Sequence, residues 1–201
     1  MSSDFPGTFD EAPASDAERW DAKYRDAPIP RHVSPPELVR TSLADIATLA
    51  SVLDVAAGWG DAGLWLADAG ADVTLTDVSA VALAAAEARA ADDDLTVKTI
   101  VRDLATSSIP QGPWDAITCI HYLDRSLLPR LGNALAPGGR LVVAIATTTN
   151  RERHDRPSAR FLLDPGELPL LVPDLDITNF SEGWRSNDVH EAWLVATAPM
   201  P

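Results

Sequence analysis

Residues Val52 to Ser79 read VLDVAAGWGDAGLWLADAGADVTLTDVS, and this stretch sets the fold. Val52, Leu53 and Val55 form a short apolar run suited to a buried strand. The chain turns at Ala56-Ala57-Gly58-Trp59-Gly60, and a helical pattern carried by Leu64, Leu66 and Ala67 follows and stops at Gly70. A second strand, Asp72 to Thr76, delivers Asp77 at its carboxyl end. Strand, turn, helix and strand in succession specify a parallel α/β unit, whose ligand crevice lies beyond the carboxyl ends of the strands. Asp54, the glycine turn and Asp77 are therefore expected on one cleft.

Further along, Ser79 is placed to cap a helix from Ala80 to Ala91, and Asp92-Asp93-Asp94 reads as a solvated turn. A third strand, Leu95 to Val101, ends in Arg102-Asp103-Leu104, and a fourth, Ala116 to Ile120, ends in His121-Tyr122-Leu123. A helix from Ser126 to Leu135, the turn Pro137-Gly138-Gly139 and a fifth strand, Leu141 to Ala146, come next. Asp164 and Pro165 predict the start of a helix reaching Val172, and Asp176–Phe180 and Glu191–Thr197 are the last two strands. Upstream, Asp16 is the expected cap of a helix that carries Trp20 and Tyr24 at i,i+4, and a proline-broken connection leads to a second helix, Glu37 to Leu49. Residues 1–15, polar and acidic with Pro6, Gly7 and Pro13, predict a disordered leader. Residues 16–201 are expected to form a single doubly wound α/β domain, a helical cover over 16–50 and a core over 51–201.

Composition narrows the function. The 201 residues, 46% hydrophobic, suffice for one sizeable core. No run of about 18 apolar residues and no basic, apolar leader is present, so the cytoplasm is expected and a membrane is not. The net charge of −14 disfavours nucleic acid as a partner. Cys119, the one cysteine, lies in an apolar run and reads as an inert core thiol. His32, His121, His154 and His190 lack metal-ligand spacing, and no metal is expected.

The turn lacks G-x-G-x-x-G and the phosphate loop's terminal Lys, so neither a dinucleotide nor a nucleoside triphosphate is indicated. An acid on the first strand, small residues to Gly60 and a second acid 17 residues later resemble motif I of the class I S-adenosylmethionine-dependent methyltransferases, usually Asp-x-Gly-x-Gly-x-Gly. Ala56 stands for that motif's first glycine. Asp115 with the apolar run after it, and LAPGGRLVVA at 135–144, resemble the family's fourth and fifth strand motifs. More narrowly, WDAKY at 20–24, RFLLDPGEL at 160–168 and EGW followed by HEAWLVA resemble small bacterial tellurite-resistance-like methyltransferases.

The resemblance implies a Rossmann-like class I methyltransferase fold, a seven-stranded, mostly parallel sheet in the order 3-2-1-4-5-7-6 with the last strand antiparallel. It implies S-adenosylmethionine as cofactor, with Asp54, Ala56, Gly58 and Gly60 at its methionine moiety and Asp77 at the ribose. Val78 would lie beside the adenine, Asp103 and Leu104 would contact its amino group and ring face, and Trp20 and Tyr24 would close over donor and acceptor. The expected activity is in-line methyl transfer to a small molecule by a monomer or homodimer. His121 is the candidate general base, with Tyr122 beside it. Arg153, Arg156 and Arg160, in the basic segment 151–160, are candidates for an anionic or thiol-like acceptor. Two other functions fit less well: donor binding without turnover, and nicotinamide-dependent oxidoreduction.

Overall fold

The computed structural model describes residues 15–47 and 50–201, so the expected leader lies almost wholly outside the described residues. Seven strands form one sheet in the order β3-β2-β1-β4-β5-β7-β6: β1 Ser51–Val55, β2 Asp72–Asp77, β3 Lys98–Val101, β4 Trp114–Ile120, β5 Leu135–Ala146, β6 Asp176–Trp184 and β7 His190–Thr197. β1 pairs in parallel with β2 and β4, and β7 alone runs antiparallel to both its neighbours. Helices α1 Asp16–Asp26, α2 Glu37–Ser42, α3 Asp61–Asp68, α4 Ala80–Asp92 and α5 Leu128–Gly132 complete the fold.

Strand alternation sends side chains to two cores, one on each face of the sheet. Leu53, Val55, Ile117, Cys119, Leu141 and Val143 pack with Leu127, Leu128 and Leu131 on one face. Val52, Val73, Leu75 and Ala116 pack with Leu38, Val39, Leu66 and Leu83 on the other. Each leucine so buried contributes about 1.5–3 kcal/mol. Because the chain leaves β1 toward β2 and returns to β4 on its other side, the crevice between the carboxyl ends of β1 and β4 is the topological switch point.

Several element boundaries differ from the sequence expectation, each for an identifiable reason. The cap of α1 is Ser15, not Asp16, because Ser15 and Glu18 complete a reciprocal capping box. α2 stops at Ser42, whose carbonyl accepts from the Arg140 guanidinium at 2.9 Å. β3 begins three residues late because the Leu95 N–H closes the end of α4 on the Ala90 carbonyl. α5 is shorter than expected, since Asp124 caps the Ser126 and Leu127 N–H groups and Leu135 already pairs with Trp114. The Pro137-Gly138-Gly139 turn is thereby absorbed into β5 as an irregularity of register. Instead of a helix from Asp164 to Val172 there is one short turn of 3-10 helix, Leu168–Leu171, because Gly166 adopts φ +75° and interrupts the helical run. No helix among the described residues is long and apolar enough to cross a membrane.

Candidate active site at the carboxyl edge of the sheet

A cavity of about 720 Å³ opens at the switch point. Asp54, Ala56 and Gly58 line it after β1, Asp77 and Val78 after β2, Asp103 and Leu104 after β3, and His121 and Tyr122 after β4. Trp20 and Tyr24 approach from α1. The strand ends thus bring nine of the residues singled out in the sequence to one space, and α1 adds two.

Both strand-end acids are buried and fully used. Asp77 accepts from the Gly58 N–H at 2.9 Å through Oδ2 and from the Ser79 N–H at 2.8 Å through Oδ1, so one carboxylate ties the glycine turn to the start of α4. Burial pushes its carboxyl above the ordinary value, against the pull of these N–H donors. Asp54 accepts from the Thr118 hydroxyl at 2.6 Å and from the Gly63 N–H at 3.0 Å. Burial, with smaller contributions from the Asp77 and Asp61 charges, drives its carboxyl from 3.8 up to about 6. The native state then holds more protons at Asp54 than the unfolded chain between these values, so stability falls as pH rises through this window. The cost of keeping Asp54 ionised reaches about 3 kcal/mol above it. Asp54→Asn can keep two hydrogen bonds without the charge, its carbonyl accepting from the Gly63 N–H and its NH2 donating to the Thr118 hydroxyl oxygen in reversal of the native bond. Its melting temperature should match wild type near pH 4 and exceed it at pH 7; parallel pH profiles in thermal melts would contradict the burial effect.

The glycine turn is built from left-handed backbone, with φ +52° at Ala56, +55° at Gly58 and +79° at Gly60. Ala56 tolerates this poorly, and only glycine is at ease there. At Gly58 an added Cβ would stand 2.5 Å from the Tyr24 hydroxyl, so Tyr24 of α1 rests directly on the turn. Gly60 does not line the cavity. Its missing Cβ faces Ala86 and Leu75, at 3.2 and 3.3 Å, which makes it a packing glycine between α4 and β2 rather than a donor contact.

α1 has no fully buried residue and is held instead by a residue the sequence reading passed over. Asp21 accepts from the Ser79 hydroxyl at 2.6 Å and the Val81 N–H at 3.2 Å, pinning the helix to the start of α4 beside Asp77. Trp20 and Tyr24 stack at 5.9 Å, and Tyr24 meets the Trp59 ring edge-on at 5.3 Å. Asp103 lines the cavity, yet its oxygens accept from the Ala105 N–H and the Thr106 hydroxyl, so it also caps its own turn. Burial first, then the Asp124 charge, raises the Tyr122 hydroxyl far above its usual value and keeps it protonated.

His121 sits at φ +58° immediately after β4, its N–H bonded to the Ala144 carbonyl at 2.7 Å. Its Nε2 lies 2.9 Å from Oε1 of buried Glu191 on β7, whose Oε2 accepts from the Trp193 indole at 2.7 Å. Burial alone would raise Glu191, but these two hydrogen bonds and the nearby His121 and Arg185 charges hold it below the ordinary carboxylate range. Glu191 was legible only as a lone acid inside an apolar strand.

The arginines of 151–160 are a correction. Arg153, Arg156 and Arg160 do not line the cavity. Arg153 pairs with Asp188 at 2.5 Å and stacks on Trp184 at 3.7 Å, and Arg160 stacks on Phe161 at 4.4 Å, so both are held against neighbouring side chains. The cavity receives Arg185 instead, from the tip of the β6–β7 hairpin. Its guanidinium lies 3.8 Å over Trp193 and donates through Nη2 to the Ser181 and Glu191 carbonyls, while its Nε is buried without a hydrogen-bond partner. No carboxylate among the described residues forms an ion pair with it. Nor does any group of described residues have the composition of a metal site.

The cavity's size and its small-residue turn between two buried acids fit a ligand of nucleoside size. Residues 52–139 match the family described as Methyltransferase domain. Comparison with curated proteins returned no match. Among solved structures, TehB from Haemophilus influenzae is 18% identical with a TM-score of 0.71, covering 90% of this chain, while the chain spans only 66% of TehB. A TehB-like S-adenosylmethionine-dependent methyltransferase from Corynebacterium glutamicum is 20% identical, TM-score 0.63, covering 90% and 95% of the two chains. Magnesium protoporphyrin IX methyltransferase from Synechocystis PCC 6803, with bound S-adenosylhomocysteine, is 18% identical, TM-score 0.64, covering 80% and 79%. Residues 52–139 thus match a methyltransferase domain, and the turn and sheet order around them are those of the class I S-adenosylmethionine-dependent methyltransferase fold, whose cofactor is S-adenosylmethionine.

Proposed function

We propose that this enzyme methylates a small molecule bearing an acidic group, by in-line displacement, in the cytoplasm. The observation that supports this best is the meeting, in one cavity, of the strand-end acids Asp54 and Asp77 with the His121–Glu191 pair and an unpaired Arg185. In this reading Asp77 takes the ribose hydroxyls, and Asp54, Ala56 and Gly58 take the cationic methionine end. Val78, Asp103 and Leu104 take the adenine, and Trp20 and Tyr24 cover donor and acceptor. The donor, when bound, supplies a methyl group already activated on a sulfonium. What remains for the protein is alignment, exclusion of water and removal of the acceptor proton.

With Nε2–H directed at Glu191, His121 presents the Nδ1 lone pair as the base, and the carboxylate stabilises the imidazolium that forms. Tyr122, protonated, shapes the wall. Arg185 gives the acceptor's anionic group a charged donor in an otherwise acid-rich lining. An acceptor panel of thiols, phenols, carboxylates and neutral amines, measured on wild type, Arg185→Met and Arg153→Ala, tests the reading. Acidic acceptors should lose about tenfold or more in kcat/KM with Arg185→Met, and nothing with Arg153→Ala. Methylation confined to neutral or cationic acceptors and indifferent to Arg185 would sink the acidic-group assignment. Donor binding without homocysteine product across the panel would favour a non-catalytic binder.

A further inference from the structure

We propose that Arg89 is a positioning residue that latches the segment His32–Glu37 onto the glycine turn and so completes one wall of the donor site. The proposal rests on the donor reading above. Arg89 occurs in the alanine-rich helix α4, on the same face as Ala82, Ala86 and Ala90, and its side chain is only 8% exposed. The small alanines let the helix pack closely, and the arginine stem carries a guanidinium under the turn. Nη1 donates to the Trp59 carbonyl at 2.6 Å, and Nη2 to the His32 carbonyl at 3.0 Å and to Asp61 Oδ1 at 2.7 Å. The same Asp61 oxygen accepts from the Ser34 N–H at 3.4 Å. One planar cation therefore joins the turn, the first residue of α3 and the connection that leads into α2.

This junction matters because the joined pieces are cavity wall: Ser34, Pro35, Pro36 and Glu37 on one side, Trp59 and Asp61 on the other. The connection has four prolines between residues 28 and 36, and among its described residues it makes no strand pairing. It cannot hold itself by backbone hydrogen bonds, and the Arg89 fork supplies the tie. A buried ion pair is a poor source of net stability compared with an apolar replacement, but its fixed geometry suits placement of a loop. Lysine, a point donor on a flexible stem, cannot reproduce three contacts in one plane.

The test uses the full chain with Arg89→Lys and Arg89→Met, S-adenosylhomocysteine as the probe in calorimetry, and hydrogen exchange without ligand. Both variants should stay folded, exchange faster than wild type at residues 31–37, and bind the probe about tenfold more weakly or worse, because the charged hydrogen bonds that hold the wall in place are lost. If Arg89→Met does not fold, Arg89→Lys and Asp61→Ala, which leaves the two carbonyl contacts in place, report the same two quantities. A lowered melting temperature with unchanged exchange at 31–37 and affinity within about twofold of wild type would make Arg89 merely structural and overturn the proposal. Failure of the wild type itself to bind the probe would overturn the donor reading, whereas the ligand-free exchange comparison would still judge the latch.

Discussion

Asp77→Ala is expected to weaken S-adenosylhomocysteine binding by about 3 kcal/mol, roughly a hundredfold, because under the donor reading proposed above the buried, charged acceptor for the ribose hydroxyls is lost. The same change strips the acceptor from the Gly58 and Ser79 N–H groups, so the melting temperature should fall as well. Asp77→Asn is a milder probe of both effects. Its amide keeps one acceptor oxygen but turns an NH2 toward the other backbone N–H, so the turn is strained while the side-chain volume is kept. Calorimetry on each variant, well below its own melting temperature, reads the affinity. An Asp77→Ala protein that is folded and binds the probe as tightly as wild type would remove Asp77 from the donor site.

For an acceptor with a neutral hydroxyl, His121→Ala should reduce kcat by about 10²–10⁴, the usual worth of a positioned general base, with donor affinity little changed. Glu191→Gln should give a smaller loss in the same direction, since the amide retains a hydrogen bond to one of its two partners but no longer stabilises an imidazolium. A thiol acceptor that ionises by itself needs no base, and its turnover should survive His121→Ala. Complete loss with both acceptors would assign His121 to shaping the site rather than to proton transfer. The sign of the acid limit follows from Glu191. Its folded carboxyl titrates below the unfolded one, so the stability it contributes is present above the ordinary carboxylate range and is lost as pH falls through the folded value.

The stretch Val52–Ser79 by itself determined the first parallel unit, the position of the glycine turn and the convergence of Asp54 and Asp77, because these depend on local hydrophobic period and on residues adjacent in the chain. The turn at Ala56 and Gly58 and the cap at Ser79 are likewise local, and the strands that end in Asp103 and His121 were readable from their apolar runs. Helix ends were less legible: Arg140 stops α2 from a distant strand, and Gly166 breaks the helix that Asp164-Pro165 predicts. Basic residues were the poorest guide. Local density drew attention to residues 151–160, yet Arg153 is spent on Asp188 and Trp184, while the isolated Arg185 reaches the cavity because a hairpin turns it there. Glu191 and Arg89 acquired their partners His121, Trp59 and Asp61 only when β7 lay beside β5 and α4 packed against the turn. Local sequence fixes the backbone's period and its punctuation; which charged groups meet is set by contacts between segments 28 to 70 residues apart, and those exist only in the packed chain.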